Sequence, residues 1–273
     1  MRKRGLLWFS SLLVLAGCIG LAVYGGAIAG VLEVLTWRLM QPPAPPDPIP
    51  PALADIVWVS LSMIAVVAGM VVSAIAVTLR SRECAISGVG LLLYVIACVV
   101  LHVAAFVGIE AVYTARGTFA FMALSTEPPR VEFVEAAVLA SRGGLATAGM
   151  ILVVAPVLML LAAALGFRAL PDLPSARRSL FIYLGPVLIG TVLCVLAGSL
   201  GMNARDLQAM LEGAEFAPNP ATLADRMAAI FNSAFLLWGG LAGLGILQVL
   251  AGLLAYALDS RRETPVPPSE EKD

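Results

Sequence analysis

The chain has 273 residues, of which 60% are hydrophobic and 13% are charged, and its formal net charge is −1. A soluble domain carries about 25% charged residues, so a chain of this composition is solvated by lipid rather than water. The near-neutral charge, with no basic stripe, excludes nucleic acid as a partner. Four cysteines and one histidine are too few for a disulfide framework or a zinc site, and we expect neither a metal nor another cofactor.

Six long apolar runs follow one another along the chain. They fall near residues 5–32, 56–79, 86–109, 143–167, 179–202 and 227–258. Each is at least as long as the roughly 20 residues that a helix needs to cross the hydrocarbon core. The runs do not alternate in polarity, as the strands of a membrane barrel would. The sequence therefore predicts an all-α, polytopic membrane protein with six transmembrane helices.

The basic residues near the ends of these runs indicate the orientation, because cytoplasmic segments carry an excess of Lys and Arg. One set of segments holds eleven of them: Arg2, Lys3, Arg4, Arg80, Arg82, Arg168, Arg177, Arg178, Arg261, Arg262 and Lys272. The other set holds six: Arg38, Arg116, Arg130, Arg142, Arg205 and Arg226. We expect a bacterial inner-membrane protein with both termini in the cytoplasm and with loops 33–55, 110–142 and 203–226 facing outward.

The first apolar run contains Leu15-Ala16-Gly17-Cys18 behind a basic start, which resembles a bacterial lipobox. Processing before Cys18 is one interpretation of this segment. However, the run continues from Ile19 to Leu32 without a charge and is longer than the 7–15 residues of a signal h-region. Cys98 and Cys194 also stand at corresponding places in two internal helices. We therefore expect an uncleaved first helix.

Two outer stretches resemble each other: PIPPALADI at 48–56 and PNPATLADR at 218–226. A looser copy at 127–136 contains Glu135, and a glycine follows fourteen residues after each acid. The acids are Asp55, Glu135 and Asp225, and the glycines are Gly69, Gly149 and Gly239. This pattern predicts three parallel helical-hairpin repeats, related by an axis along the membrane normal. Their bounds are 1–79, 80–168 and 169–258, and a disordered cytoplasmic tail follows at 259–273.

The three repeated acids are the first candidates for function, since ionisable residues in membrane segments default to functional roles. An arginine precedes each acid by 17 to 20 residues across the hairpin: Arg38, Arg116 and Arg205. In one interpretation each acid meets a helix dipole, worth about 0.3–1 kcal/mol, and the arginine pins the hairpin as an ion-pair partner. In the other, the three carboxylates line the outer mouth of a cation path.

His102 stands midway along the third run, four residues after Cys98 and on the same helix face. The ordinary titration range of histidine suits a proton switch. No second histidine is available to complete a metal site, so a histidine that is hydrogen-bonded within the bundle is the alternative.

Two stretches resemble the proton-channel family of MotA, TolQ and ExbB. GSLGM at 198–202 is similar to the pattern that ends one helix of that family, and AAVLASRGGLATAG at 136–149 is similar to the start of the returning helix. PATLADRMAAIFNSAF at 220–235 has the same rhythm. The resemblance implies an outward-facing hairpin. It places Ser141 at a position where the family carries a pore-lining threonine.

The repeated acids and this resemblance together predict a proton or cation channel, or an energy-transducing transport subunit. The alternative is a non-catalytic membrane scaffold or partner subunit, which few charges and many small residues favour. We expect no enzymatic activity, because no nucleophile elbow, P-loop, dinucleotide fingerprint or HExxH motif is present. The expected partners are the lipid bilayer and either further copies of the chain or other membrane subunits.

Overall fold

The computed structural model describes residues 2–34, 52–80, 84–86, 88–124, 130–165, 167–169, 181–212 and 220–260. Arg38, the proline-rich loop that is predicted to face outward, and residues 261–273 of the expected tail lie outside these ranges.

Six long helices make up the described chain. They are α1 (Arg2–Tyr24), α2 (Ala52–Arg80), α3 (Gly88–Leu124), α4 (Val131–Leu165), α5 (Phe181–Glu212) and α6 (Pro220–Ser260). Six segments, one in each helix, are long and apolar enough to cross a membrane, and the first of them continues past α1 to Val34. The chain is thus a multi-pass helical membrane protein, as the apolar runs predict.

The C-terminal end of α3 and the N-terminal end of α4 extend further than the apolar runs predict. The runs place a loop at 110–142, whereas α3 continues to Leu124 and α4 begins at Val131. With 37 residues, α3 is about 55 Å long, against a hydrocarbon core of about 30 Å. Apolar packing maintains this extension, because Val112, Ala115 and Phe119 are buried and the ring centroid of Phe119 lies 5.6 Å from that of Phe231.

The six helices close into a ring. The neighbouring pairs are α1–α2, α2–α5, α5–α6, α6–α3, α3–α4 and α4–α1. Each of the three predicted hairpins therefore supplies two adjacent helices. The returning helix of each hairpin packs against the outgoing helix of another.

The middle of the ring is occupied by the chain that follows α1. A 3-10 turn at Gly25–Ala29 leads into a short helical stretch that reaches Val34. The turn contacts α1, α2, α3, α4 and α6. Every residue from 25 to 34 is buried except Gly26 and Glu33, which are half-buried. We call residues 25–34 the inner segment.

Glycines bring α1 unusually close to its neighbours. A Cβ atom at Gly149 of α4 would lie 2.5 Å from the backbone of Ala22, and one at Gly17 would lie 2.6 Å from the carbonyl oxygen of Ser62 in α2. Small residues allow membrane helices to approach to backbone contact. The small residues of this region therefore fix the distance between helices.

The three glycines that follow the repeated acids do not make equivalent contacts. Gly69 of α2 packs against Val14 and Ser10 of α1, which belongs to the same predicted hairpin. Gly149 packs against α1 of a different hairpin. Nothing lies within 4 Å of a Cβ built at Gly239.

Two short strands join the connection between α2 and α3 to the connection between α4 and α5. Strand β1 (Cys84–Ile86) lies between α2 and α3, and β2 (Phe167–Ala169) lies between α4 and α5. They pair antiparallel, with Cys84 opposite Ala169 and Ile86 opposite Phe167. Hydropathy alone does not detect strands of three residues.

Candidate functional site

The three repeated acids lie outside the core of the bundle. Asp55 is half-buried, whereas Glu135 and Asp225 are exposed. Asp55 stands in the first turn of α2, but Glu135 and Asp225 stand beyond the first turns of α4 and α6. Because the helix-dipole interaction falls off within the first turn, only Asp55 is placed to benefit from it.

The ion pairs among the described residues join other groups. Arg142 Nη2 lies 2.7 Å from Glu33 Oε1, and Arg226 Nη1 lies 3.1 Å from Asp206 Oδ2. Within the described ranges, Arg116 forms no ion pair with Glu135 and Arg205 forms none with Asp225; Arg38 lies outside those ranges. The guanidinium of Arg116 instead lies 5.7 Å from the ring centroid of Phe235 on α6, which is a cation–π distance.

Arg226 organises a polar cluster between the C-terminal end of α5 and the N-terminal end of α6. Besides its contact with Asp206, its Nη1 donates a hydrogen bond to Asn203 Oδ1 at 3.0 Å. Asn203 Nδ2 in turn donates to Ser199 Oγ at 3.3 Å. These contacts tie α6 to α5 through side chains on a single face of α5. Sequence reasoning assigned Arg226 to an outer loop and missed the cluster, whose signal is the four-residue spacing of Ser199 and Asn203.

The Arg142–Glu33 pair links the inner segment to α4. Glu33 lies between the buried residues Leu32 and Val34. The Cγ atom of Arg142 lies 2.6 Å from the place that a Cβ of Gly26 would occupy, so the arginine stem covers the inner segment. The absence of a side chain at Gly26 therefore makes room for Arg142. The sequence analysis paired acids with arginines of the same hairpin, so it missed the Arg142–Glu33 pair, which joins two hairpins.

His102 is half-buried at the contact between α3 and α6. Its Nδ1 donates a hydrogen bond to the carbonyl oxygen of Cys98 at 2.8 Å. Its Cε1 lies 3.0 Å from the Cβ position of Gly245 on α6. No group of three or more metal-ligating side chains occurs among the described residues. This geometry matches the alternative interpretation of His102 as a hydrogen-bonded packing residue.

Ser141 is fully buried. Its hydroxyl and the indole N–H of Trp238 are the two buried side-chain groups without a hydrogen-bond partner in the described part of the chain. Near Ser141 on α4, Gly144 packs against Ala111 of α3 and the Leu145 carbonyl lies 3.2 Å from the Cβ position of Gly25. The hydroxyl is thus buried next to a part of α4 that packs closely against its neighbours.

The interior of the ring is filled by apolar side chains. The largest that are fully buried are Trp238, Phe231, Leu21, Ile28, Leu32, Leu53, Ile56, Met63, Met70, Leu101, Leu145 and Leu152. The buried polar residues of the described ranges all carry hydroxyl groups: Ser10, Ser11, Ser60, Thr118, Ser141 and Ser233. One of them, Ser60, donates a hydrogen bond to the carbonyl oxygen of Ala197 and thereby joins α2 to α5.

An apolar groove lies between α5 and α6 on the outside of the ring. Its volume is about 450 Å³, and its lining residues are Leu188, Ile189, Val192, Leu193, Leu196, Phe235, Leu236, Gly239 and Gly240. Leu188, Val192 and Leu236 are each more than half exposed. The sequence analysis did not identify this groove, although the Gly239-Gly240 pair is a signal for it.

Comparison of this chain with protein-family models, with curated proteins and with solved structures found no match.

Proposed function

We propose that this chain is a non-catalytic membrane scaffold or partner subunit, which acts by presenting its lipid-facing surfaces to another membrane-embedded chain. The observation that carries the proposal is the packed interior. An ion that crosses a membrane needs polar groups or water to replace its hydration shell, and burying a charge without them is costly. Across the described ranges the interior offers large apolar side chains and six hydroxyl-bearing residues.

The inner segment supports the same conclusion. It lies where an axial path through the ring would run, and Ile28, Leu32 and their neighbours are buried there against surrounding helices. Packed cores of this kind are not continuously deformable. Opening a path would require the inner segment to leave its place, and the Arg142–Glu33 pair opposes that movement.

The ring order supports an arrangement of three hairpins within this scaffold. Contacts α2–α5, α6–α3 and α4–α1 each join a returning helix to the outgoing helix of another hairpin, as parallel repeats around an axis along the membrane normal would. We place the protein in a bacterial inner membrane with both termini in the cytoplasm, following the distribution of Lys and Arg.

The proton or cation channel remains the competing hypothesis, and ion flux decides between the two. The purified protein is reconstituted in liposomes beside a variant with Asp55→Asn, Glu135→Gln and Asp225→Asn. We expect no flux of protons, Na⁺ or K⁺ above that of empty liposomes from either protein. Flux through the unmodified protein that the triple variant loses would establish the channel and overturn the scaffold.

A further inference from the structure

One face of α6 is exposed along its described residues. Its residues follow each other at intervals of four and three: Asn232, Leu236, Gly239, Gly243, Ile246 and Leu250. This spacing places them along one side of a helix. All are exposed except Gly243, which is half-buried. We call these six residues the α6 face.

The α6 face contains a depression formed by two glycines. Gly239 and Gly243 are one helical turn apart, and nothing lies within 4 Å of a Cβ built at either position. Two glycines at this interval allow a second membrane helix to approach closely. The depression continues into the apolar groove, because Gly239 and Leu236 line both.

Asn232 supplies an independent observation on the same face. Its side chain is exposed, lies within the membrane-spanning segment Ala221–Leu247, and makes no hydrogen bond within the described residues. It is six residues, or about 9 Å, deeper than Arg226. A polar group that faces hydrocarbon without a partner is costly, so this position favours a partner that can hydrogen-bond to the amide.

We propose that the α6 face binds the α6 face of a second copy of this chain, related by a two-fold axis along the membrane normal. All copies cross the membrane in one orientation, so this axis brings identical residues of parallel helices together. An amide side chain carries both donors and an acceptor. Asn232 is therefore complementary to its own counterpart, whereas a foreign helix would need a matching polar residue at the same depth. The inference rests on the proposed scaffold and names its partner.

Cysteine cross-linking tests the register of this interface. Asn232→Cys is introduced into a variant whose four native cysteines are alanine, and the protein is oxidised in native membranes with copper phenanthroline. We expect a disulfide-linked dimer on a non-reducing gel. The matched control is Leu139→Cys, because Leu139 is 73% exposed on α4, away from the α6 face. This variant should form no disulfide between copies and should run as a monomer on the same gel. A dimer at both positions, or at neither, overturns the proposal.

A second experiment measures the dimer directly, by single-molecule photobleaching in phosphatidylethanolamine–phosphatidylglycerol vesicles over a range of protein-to-lipid ratios. We expect Gly239→Leu with Gly243→Leu to reduce the dimer fraction at least about tenfold, and Asn232→Ala to weaken dimerisation about threefold. The control is Gly143→Leu, since Gly143 of α4 is also exposed and has nothing within 4 Å of its Cβ position. Thermal unfolding of each variant verifies that it is folded.

The outcomes separate the dimer from the scaffold. The dimer is overturned if the folded protein is monomeric at every ratio, or if it dimerises equally well with both glycines replaced. A groove that is occupied by lipid or by another protein's helix also overturns the dimer. If the present protein then carries no ion flux, the scaffold proposal stands. If the protein conducts ions, the scaffold fails, while cross-linking at position 232 still decides the dimer.

Discussion

Arg142 of α4 and Glu33 of the inner segment form an ion pair with Nη2 and Oε1 2.7 Å apart. The two residues come from different predicted hairpins and lie 109 positions apart in the chain. The pair connects the wall of the ring to the segment that fills its middle. It therefore links the packing of the interior to one polar contact.

Removing either charge should lower stability slightly. The side chains are 45% and 33% exposed, and exposed pairs contribute about 0–1 kcal/mol. We expect Glu33→Gln or Arg142→Gln to lower the Tm in detergent by up to about 4 °C at low salt, and less at high salt. Tryptophan fluorescence during heating measures the change. The exchanged variant, Glu33→Arg with Arg142→Glu, should recover part of the loss; no recovery would show that the pair contributes nothing.

Backbone contact between α4 and α1 predicts that alanine substitutions at two glycines of α4 have very different effects on stability. A Cβ at Gly149 would meet backbone atoms of Ala22 at 2.5 Å, whereas nothing lies within 4 Å of one at Gly143. We expect Gly149→Ala to destabilise the protein by about 1–3 kcal/mol, because overpacking forces helices apart. Gly143→Ala should be neutral or slightly stabilising, since alanine favours helix more than glycine. Equal melting temperatures for the two variants would contradict a backbone contact between α4 and α1.

The sequence predicts the membrane class and the six helices because apolar runs of this length have no other physical solution in lipid. The sequence does not predict the features that depend on tertiary packing. The extension of α3 from Glu110 to Leu124 is maintained by burial of Val112, Ala115 and Phe119, which a hydropathy average does not register. The pairing of Arg142 with Glu33 depends on the ring order, and no rule about neighbours within a hairpin reveals it.

Substitutions at Trp238 and Gly108 should have coupled effects on thermal stability. Trp238 is 1% exposed, and its ring atoms would overlap a Cβ atom at Gly108 on α3. Gly108→Ala should therefore lower the Tm clearly. A smaller ring relieves the overlap and removes an indole N–H that has no partner, so Gly108→Ala with Trp238→Phe should melt above Gly108→Ala alone. Additive effects in this double-mutant cycle would contradict direct contact.

The proposed orientation in the membrane predicts a labelling pattern for the two ends of the bundle. Glu212 is the exposed last residue of α5, and Ser260 is the last residue of α6. In a cysteine-free variant expressed in bacterial spheroplasts, we expect a membrane-impermeant maleimide to label Glu212→Cys in intact cells. Ser260→Cys should react only after permeabilisation, because the excess of Lys and Arg predicts that the end of α6 lies in the cytoplasm.

A contrary result in this labelling experiment distinguishes an inverted orientation from a helix α6 that does not span the bilayer. Helices α5 and α6 each cross once, so the C-terminal end of α6 must lie on the side opposite to Glu212. Labelling of Ser260→Cys alone in intact spheroplasts would invert the orientation while preserving six crossings. Labelling of both positions without permeabilisation would mean that α6 does not span the bilayer. In that case Asn232 and the glycine depression of the two copies would not be held at matching depths in the membrane, and the two-fold interface would lose its geometric basis.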